Sequence, residues 1–287
     1  MDMALTQHFL RAKRPCASGF RWFVRNQHCG NDYQRVLDAL VHDGRVEDAR
    51  WLMGQFGTTD QVLEVEHLEA SAMVYAGSII VHGEVRVPGM LCIGGALKAG
   101  AGIHTGLLEV GEDLRCEGPV FSSDDVRING QLRTAWSLQV QGKLHAQELR
   151  VGWELECHGP VQLRGGANIG HGVIAHDTWH SEKGLRAGQD IAVTGNLTTG
   201  HGIAAGGDVI GGHGLEAGWG IRALGDIRAA GSIRVGETLE AAGDISAGAG
   251  YGIYAGLNVQ MDAWEQSAWV RAARKPEALL SGYWDGV

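Results

Sequence analysis

The 287-residue sequence has no apolar run approaching the roughly 20 residues needed to cross a bilayer, and its N-terminus lacks the apolar core of a secretory signal. We therefore expect a soluble, cytoplasmic protein. There are five cysteines, too few and too irregularly spaced for a disulfide framework. Cys16 and Cys29 are isolated from any second ligand pair, so we assign them no zinc site.

Clustered positive charge is also scarce in most of the chain. Residues 61–262 contain 13 Lys or Arg against 23 Asp or Glu, a net charge of −10, whereas residues 1–60 contain 8 against 7. Nucleic-acid binding needs clustered basic residues that neutralise phosphates. We therefore exclude nucleic acid as the main ligand and expect a protein partner, with a basic toxin domain as one candidate.

What the chain does contain is a six-residue repeat, regular from Leu185 to Leu257. Each unit opens with an aliphatic residue, and the residue two positions later is again apolar or small, as in Leu239-Glu-Ala241. This alternation is typical of a short strand with two inward residues and one outward residue. Glycine crowds the fourth to sixth positions, where we expect it to supply positive φ at corners. The repeat predicts a parallel β-solenoid.

Tracing the opening residue backwards extends the array to Leu63, with Ile169 and Ile174 among the openers. Three units would close one triangular coil of about 18 residues. The prediction is an all-β, single-chain parallel β-helix of about 11 coils over residues 61–262, roughly 50 Å long. The longest interruption, Asp177–Gly184, is predicted to be a loop that leaves the wall, where a scaffold often carries its specificity.

The first 60 residues do not repeat. Asp32–Val41 and Val46–Phe56 carry apolar residues at helical spacing, with Asn31 or Asp32 as the N-cap and Gly44 as the C-cap. A DNA-reading helix-turn-helix has a similar pattern, but the second segment here is not basic. We expect an N-terminal helical cap that packs over the open edge of the first coil.

Residues 263–287 form a second non-repeating end, rich in aromatic side chains. We expect this C-terminal capping tail to fold back over the last coil. A rod covered at both ends would be a discrete particle, a monomer or a small homo-oligomer.

Stacking aligns the outward residues of successive coils. Counting three units per coil places four basic residues above one another, namely Lys98, Arg115, Arg133 and Arg150. Four like charges at strand spacing repel, so either neighbours such as Glu117 and Glu154 neutralise them or the column binds an anion or an acidic partner. Trp136 and Trp153 likewise fall on one edge, where they either cover a hydrophobic gap or anchor an interface.

Histidines occur at glycine-flanked corners and around the predicted loop, where His176 and His180 lie. We interpret them as exposed turn residues, without a metal or general acid–base role. His201 and Trp219 are predicted to share an edge. The interface candidates are Trp136, Trp153, Trp179, His180, Trp219 and the four basic residues Lys98, Arg115, Arg133 and Arg150. No catalytic, cofactor-binding or metal-ligating residue is predicted.

The glycine-rich short repeats over residues 63–260 resemble those of bactofilins. That resemblance implies a bacterial β-helix that assembles end to end into a cytoskeletal polymer. A weaker resemblance concerns Ile174-Ala-His176-Asp177, which is similar to the segment carrying the catalytic histidine in left-handed β-helix hexapeptide acyltransferases. It implies His176 as a general base beside Asp177, acting on a thioester-linked acyl donor.

The leading hypothesis from the residues is a non-catalytic β-solenoid that binds another protein along a face or through the predicted loop. An immunity protein that neutralises a bacterial toxin is its concrete form. The alternatives are the bactofilin-like scaffold and the acyltransferase that uses His176.

Overall fold

A computed structural model describes residues 7–26 and 32–286. The chain is a parallel β-solenoid of about 12 turns, with a small helical region at its N-terminus and a further segment at its C-terminus. Asn31 and Cys29 lie outside the described residues. Within the described ranges, no helix has both the length and the apolar character needed to span a membrane.

The helices are α1 (Gln7–Ala12), α2 (Ala17–Arg25), α3 (Tyr33–His42), α4 (Val46–Phe56) and α5 (Trp264–Ser267). The strands are β1 (Val62–Val65), β2 (Leu68–Glu69), β3 (Met73–Tyr75), β4 (Ser78–Val81), β5 (Val85–Ile93), β6 (Leu97–Ala99), β7 (Ile103–Val110), β8 (Leu114–Cys116), β9 (Val120–Ser122), β10 (Val126–Ile128), β11 (Gln131–Thr134), β12 (Leu138–Val140), β13 (Leu144–Ala146), β14 (Glu148–Val151), β15 (Leu155–Cys157), β16 (Val161–Leu163), β17 (Ala167–Ile169), β18 (Val173–Ala175), β19 (Trp179–Ser181), β20 (Leu185–Ala187), β21 (Ile191–Val193), β22 (Leu197–Thr199), β23 (Ile203–Ala205), β24 (Val209–Gly211), β25 (Leu215–Ala217), β26 (Ile221–Ala223), β27 (Ile227–Ala229), β28 (Ile233–Val235), β29 (Leu239–Ala241), β30 (Ile245–Ser246), β31 (Ile253–Tyr254), β32 (Trp269–Arg271), β33 (Leu279–Ser281) and β34 (Tyr283–Trp284).

The strands stack in three faces, as expected for a triangular coil. Face 1 is the 13-stranded sheet that runs from β1 to β34. Face 2 follows face 1 in each coil and contains the stack from β9 through β12, β15 and β18 to β30. Face 3 follows face 2 and contains the stack from β10 through β13, β16 and β19 to β33. Faces 2 and 3 share the second sheet because the long strands β5 and β7 turn the corner between them. In the regular part each residue pairs with the residue 18 positions later, as in Leu185 with Ile203 and Ile203 with Ile221.

The core is a single column of inward side chains. Most three-residue strands bury their first and third residues and expose the middle one, as in β26. Cys116 and Cys157 are third residues and lie in this core, where each thiol acts as a small apolar filler. Burial raises the pKa of the Cys157 thiol to about 12 and that of Cys116 to about 11, so neither presents a reactive thiolate near neutral pH.

The prediction that the corner glycines supply positive φ is wrong. In the described chain, glycines with positive φ are Gly44, Gly57, Gly250, Gly256 and Gly282, and none of these lies between two regular coils. A glycine at a corner between two regular coils is needed for a different reason: the neighbouring coil lies too close to leave room for a side chain. A Cβ added at Gly225 would overlap the Oδ1 atom of Asp208 in the coil before.

That carboxylate belongs to an aspartate ladder along one corner. Asp190, Asp208 and Asp226 each accept a hydrogen bond, 2.7 Å long, from the backbone amide of the residue 18 positions later. Asp244 ends the row: its amide donates to Asp226, and its carboxylate pairs with Arg274. Each carboxylate therefore satisfies an amide that the corner would otherwise leave unpaired.

The predicted loop over Asp177–Gly184 is also wrong. Trp179 opens strand β19 and is 1 % exposed, with Val161 and Leu197 as its neighbours in the adjacent coils. The openers in this region are Ala167 and Val173, so Ile169 is a third residue and Ile174 points outward. The six-residue period therefore continues without interruption from Leu155 to Ile245.

Small inward residues explain how the core admits the indole of Trp179. The same coil contributes Ala167, Ala175 and Ser181 to the interior. The Ser181 hydroxyl lies 3.3 Å from Trp179 Nε1 and accepts its hydrogen bond. Trp179 is consequently a core residue and not an interface residue.

The N-terminal helices pack mainly on the side of the rod. Their apolar cluster includes Val74 and Cys92, which are outward residues of face 3 and would otherwise meet water. The half-buried Arg50 of α4 pairs with Glu109, the next outward residue on that face. This differs from a lid placed over the open end of the first coil.

One contact of these helices does reach the strand edge. Asp32 caps α3 by accepting a hydrogen bond from the Arg35 amide, 2.9 Å long. The side chain of Gln34 then donates to the Val74 carbonyl at 3.0 Å and accepts from the Ala76 amide at 2.9 Å. The amide of Gln34 thus replaces a neighbouring strand at the edge of β3.

The C-terminal segment extends the stack and does not fold back over it. Val270 of β32 pairs with Leu239, and Trp284 of β34 pairs with Val270. An Arg271 Nε to Asp285 Oδ2 hydrogen bond of 2.7 Å links the last two strands of face 1. These added strands explain why the rod has about 12 turns and not about 11.

Candidate protein-interaction surface

Face 1 carries a continuous column of basic side chains. The strand register places Lys98, Arg115, Arg133 and Arg150 directly above one another, as the repeat predicts. All four side chains are exposed. The column continues through Asn168 to Arg186. Neighbouring members are one strand apart, about 4.8 Å, so their charges repel unless an anion lies between them.

The column is only partly neutralised within the described chain. Arg115 Nε lies 2.8 Å from Glu117 Oε1, which is one of the two neutralising contacts considered from the sequence. No ion pair involving Lys98, Arg133 or Arg150 is found among the described residues. Glu154, the other acidic neighbour considered, makes no ion pair with them there. Lys98, Arg133 and Arg150 therefore have no paired carboxylate within the described chain.

Two exposed tryptophans lie beside the column, on the corner between faces 1 and 2. Trp136 is 62 % exposed and Trp153 is 50 % exposed. The Trp153 amide donates to the Trp136 carbonyl at 3.3 Å, which confirms that they occupy the same edge one coil apart. The ring of His171 stacks on Trp153, with ring centroids 4.3 Å apart. This stack orients one indole while leaving half of its surface open.

We call Lys98, Arg115, Arg133, Arg150, Trp136 and Trp153 the arginine–tryptophan surface. It combines two of the three side-chain types that are enriched among the residues that dominate binding energy at protein interfaces. Its basic column also contrasts with the net negative charge of the rod. The arrangement suits an acidic, partly apolar ligand surface.

The structure separates the remaining interface candidates from this surface. Trp219 and His201 share an edge, as predicted, and their rings stack with centroids 4.1 Å apart. This pair lies on the corner between faces 3 and 1. In the stack of face 1, β26 follows β11 by five strands, so Trp219 is about 24 Å along the rod from Trp136. His180 is an outward residue of face 3, between Gln162 and Thr198.

In the acyltransferase alternative His176 would act beside Asp177, but the two side chains contact different groups. Asp177 accepts a hydrogen bond from the Thr178 amide at 2.6 Å. His176 instead turns its Nε2 atom towards Glu156, at 3.6 Å from Oε1. Glu156 is a residue that the sequence analysis did not single out.

Comparison with known proteins concerns mainly the helical region. Residues 3–58 match the family described as the YdhT N-terminal domain. The match covers about a fifth of the chain and ends before β1. No curated protein and no solved structure matches the chain.

Proposed function

We propose that this chain is a non-catalytic binding scaffold that docks a partner protein on the arginine–tryptophan surface. The observation that supports the proposal most strongly is the basic column, in which Lys98, Arg133 and Arg150 have no ion-pair partner among the described residues, beside two exposed tryptophans. Placing carboxylates of a partner on this column would relieve the repulsion between its members. The indoles would supply apolar contact area next to those ion pairs.

The local charge refines the partner expected from composition. A net charge of −10 over residues 61–262 favours a basic partner at long range. The segment that meets the arginine–tryptophan surface must nevertheless carry acidic side chains. We therefore propose a partner with an acidic contact segment, whatever its overall charge.

We take an immunity protein acting in the cytoplasm as the concrete form of this function. Such a protein neutralises a toxin by covering part of it, so the scaffold needs shape and charge complementarity and no catalytic group. A toxin encoded beside this chain would be the first candidate partner.

The test uses the full chain as bait in a lysate of the native host. We expect one stoichiometric partner with the wild type and with the control Trp219→Ala, and its loss with Arg133→Glu/Arg150→Glu. Both variants lie at exposed positions, so thermal melting should show that they fold. Recovery of no stoichiometric partner by any bait, or equal recovery by all three, would refute the proposal.

A polymer-forming scaffold is the second candidate. The observation that favours it is that β1 and β34 end the sheet of face 1, each with a single neighbouring strand. Such edges can pair with a second copy. Filaments in negative-stain micrographs would support it, whereas a single sharp monomer or dimer peak on a sizing column would exclude it.

A further inference from the structure

The corner between faces 2 and 3 brings three potential metal ligands together. His158 and His176 each follow a strand of face 2, β15 and β18, and these strands are neighbours in the stack. The two imidazoles therefore lie one above the other, with ring centroids 4.3 Å apart. Glu156 is the outward residue of β15, two positions before His158, and points to the same corner.

We propose that Glu156, His158 and His176 form a binding site for a divalent transition-metal ion of the zinc class. Imidazole nitrogens and a carboxylate oxygen are ordinary zinc ligands. All three ligand atoms lie within 4.8 Å of one another. The site goes beyond the proposed binding function and lies outside the arginine–tryptophan surface.

The distances fit a tetrahedral ion. With metal–ligand bonds of about 2.1 Å, ligand atoms of a tetrahedral site are about 3.4 Å apart. Nε2 of His158 is 3.1 Å from Oε1 of Glu156, and Nε2 of His176 is 3.6 Å from the same oxygen. The two values bracket the tetrahedral separation. The stacked imidazoles must open from their interplanar angle of 23° so that the plane of each ring contains the ion.

A neighbouring side chain already orients the carboxylate. Gln139 Nε2 donates a hydrogen bond to Oε2 of Glu156, 3.0 Å long. That contact occupies the oxygen facing away from the histidines and leaves Oε1 directed at them. Carboxylate ligands of metals are commonly held by such outer hydrogen bonds, which are worth about 10–100-fold in affinity.

A metal would use an arrangement in which both imidazole Nε2 atoms already face one carboxylate oxygen, Oε1 of Glu156. Both rings must be neutral to coordinate the ion. The three side chains are partly exposed, so the fourth coordination position would be open to water or to a partner.

The experiment is calorimetric titration of Zn²⁺ into the full chain, without a histidine tag and after chelator treatment. We expect one ion per chain and a higher melting temperature with Zn²⁺. We expect at least tenfold weaker binding in each of His158→Gln, His176→Gln and Glu156→Gln, since each removes one of three ligands. The control His201→Gln, which alters another stacked corner histidine, should bind as the wild type does.

Replacement of Zn²⁺ by Co²⁺ provides a readout of geometry. We expect the intense visible absorption of a tetrahedral cobalt site in the wild type and its loss in His176→Gln. The proposal is overturned if the wild type binds no Zn²⁺, or if the ligand variants and the His201→Gln control bind it equally. Acidification should also weaken binding, because metal-bound histidines must be deprotonated.

Discussion

Replacing Trp179 by alanine should destabilise the rod more than replacing any exposed tryptophan. Trp179 is 1 % exposed and fills a coil whose other inward residues are small. Burial of a tryptophan removes about 150–250 Å² from water. At about 25 cal/mol per Å² this corresponds to roughly 4–6 kcal/mol as an upper bound. Because alanine retains a methyl group, we expect a loss of about 3–5 kcal/mol in the free energy of unfolding.

The measurement is urea unfolding followed by circular dichroism, with Trp219→Ala as the matched control. Trp219 is 52 % exposed and loses only its stack on His201, so that change should cost less than about 1.5 kcal/mol. If Trp179→Ala unfolds at the same urea concentration as Trp219→Ala, Trp179 is not in the core. The continuous register from Leu155 would then be wrong as well.

Two further predictions concern the corners and the C-terminal segment. Gly225→Ala should destabilise the rod, because the added Cβ would overlap the ladder carboxylate of Asp208. Gly54→Ala on α4 is the control. Its Cβ would meet no atom within 4 Å, so this change should be neutral or stabilise the fold by up to about 1 kcal/mol. Thermal melts of both variants test this, and equal effects would contradict the close-approach explanation. The hydrogen bond and charge of Arg274 lower the pKa of Asp244, so this contact stabilises the fold above the ordinary carboxyl pKa and is lost as the pH falls through the lowered value. Proteolysis of the C-terminal segment should therefore increase on acidification in the wild type, and Arg274→Ala should show that susceptibility already at neutral pH.

The architecture could be predicted because the six-residue repeat fixes the position of every short strand and corner. Aliphatic residues at a fixed period of six specify three short strands per coil, and the resulting register correctly places Arg133 above Arg115. The register predicted from the repeat was wrong where Ala167 and Trp179 open their units, because neither residue is one of the larger aliphatic residues that open most other units. A one-residue slip there made Ile174 an inward residue, although it points outward.

Because of the same register error, the cluster of Glu156, His158 and His176 was not predicted. With the correct register, His176 lies 18 positions after His158 and so directly above it, a spacing visible in the sequence. The four-residue separation of His176 and His180 is a ligand spacing on a helix, but here the two residues lie on a corner and on face 3. The side packing of the helices was missed because Val74, six residues after Leu68, has the spacing of an inward opener. The register places it outward instead, where an apolar residue needs a cover.

Oxidative footprinting of tryptophan side chains on the complex with a captured partner tests the central claim most directly. Trp136, Trp153 and Trp219 are all at least half exposed in the free chain and should all be labelled there. The account predicts that the partner protects Trp136 and Trp153 and leaves Trp219 labelled as before. Unchanged labelling of Trp136 and Trp153 in the complex, or protection of Trp219 alone, would contradict it.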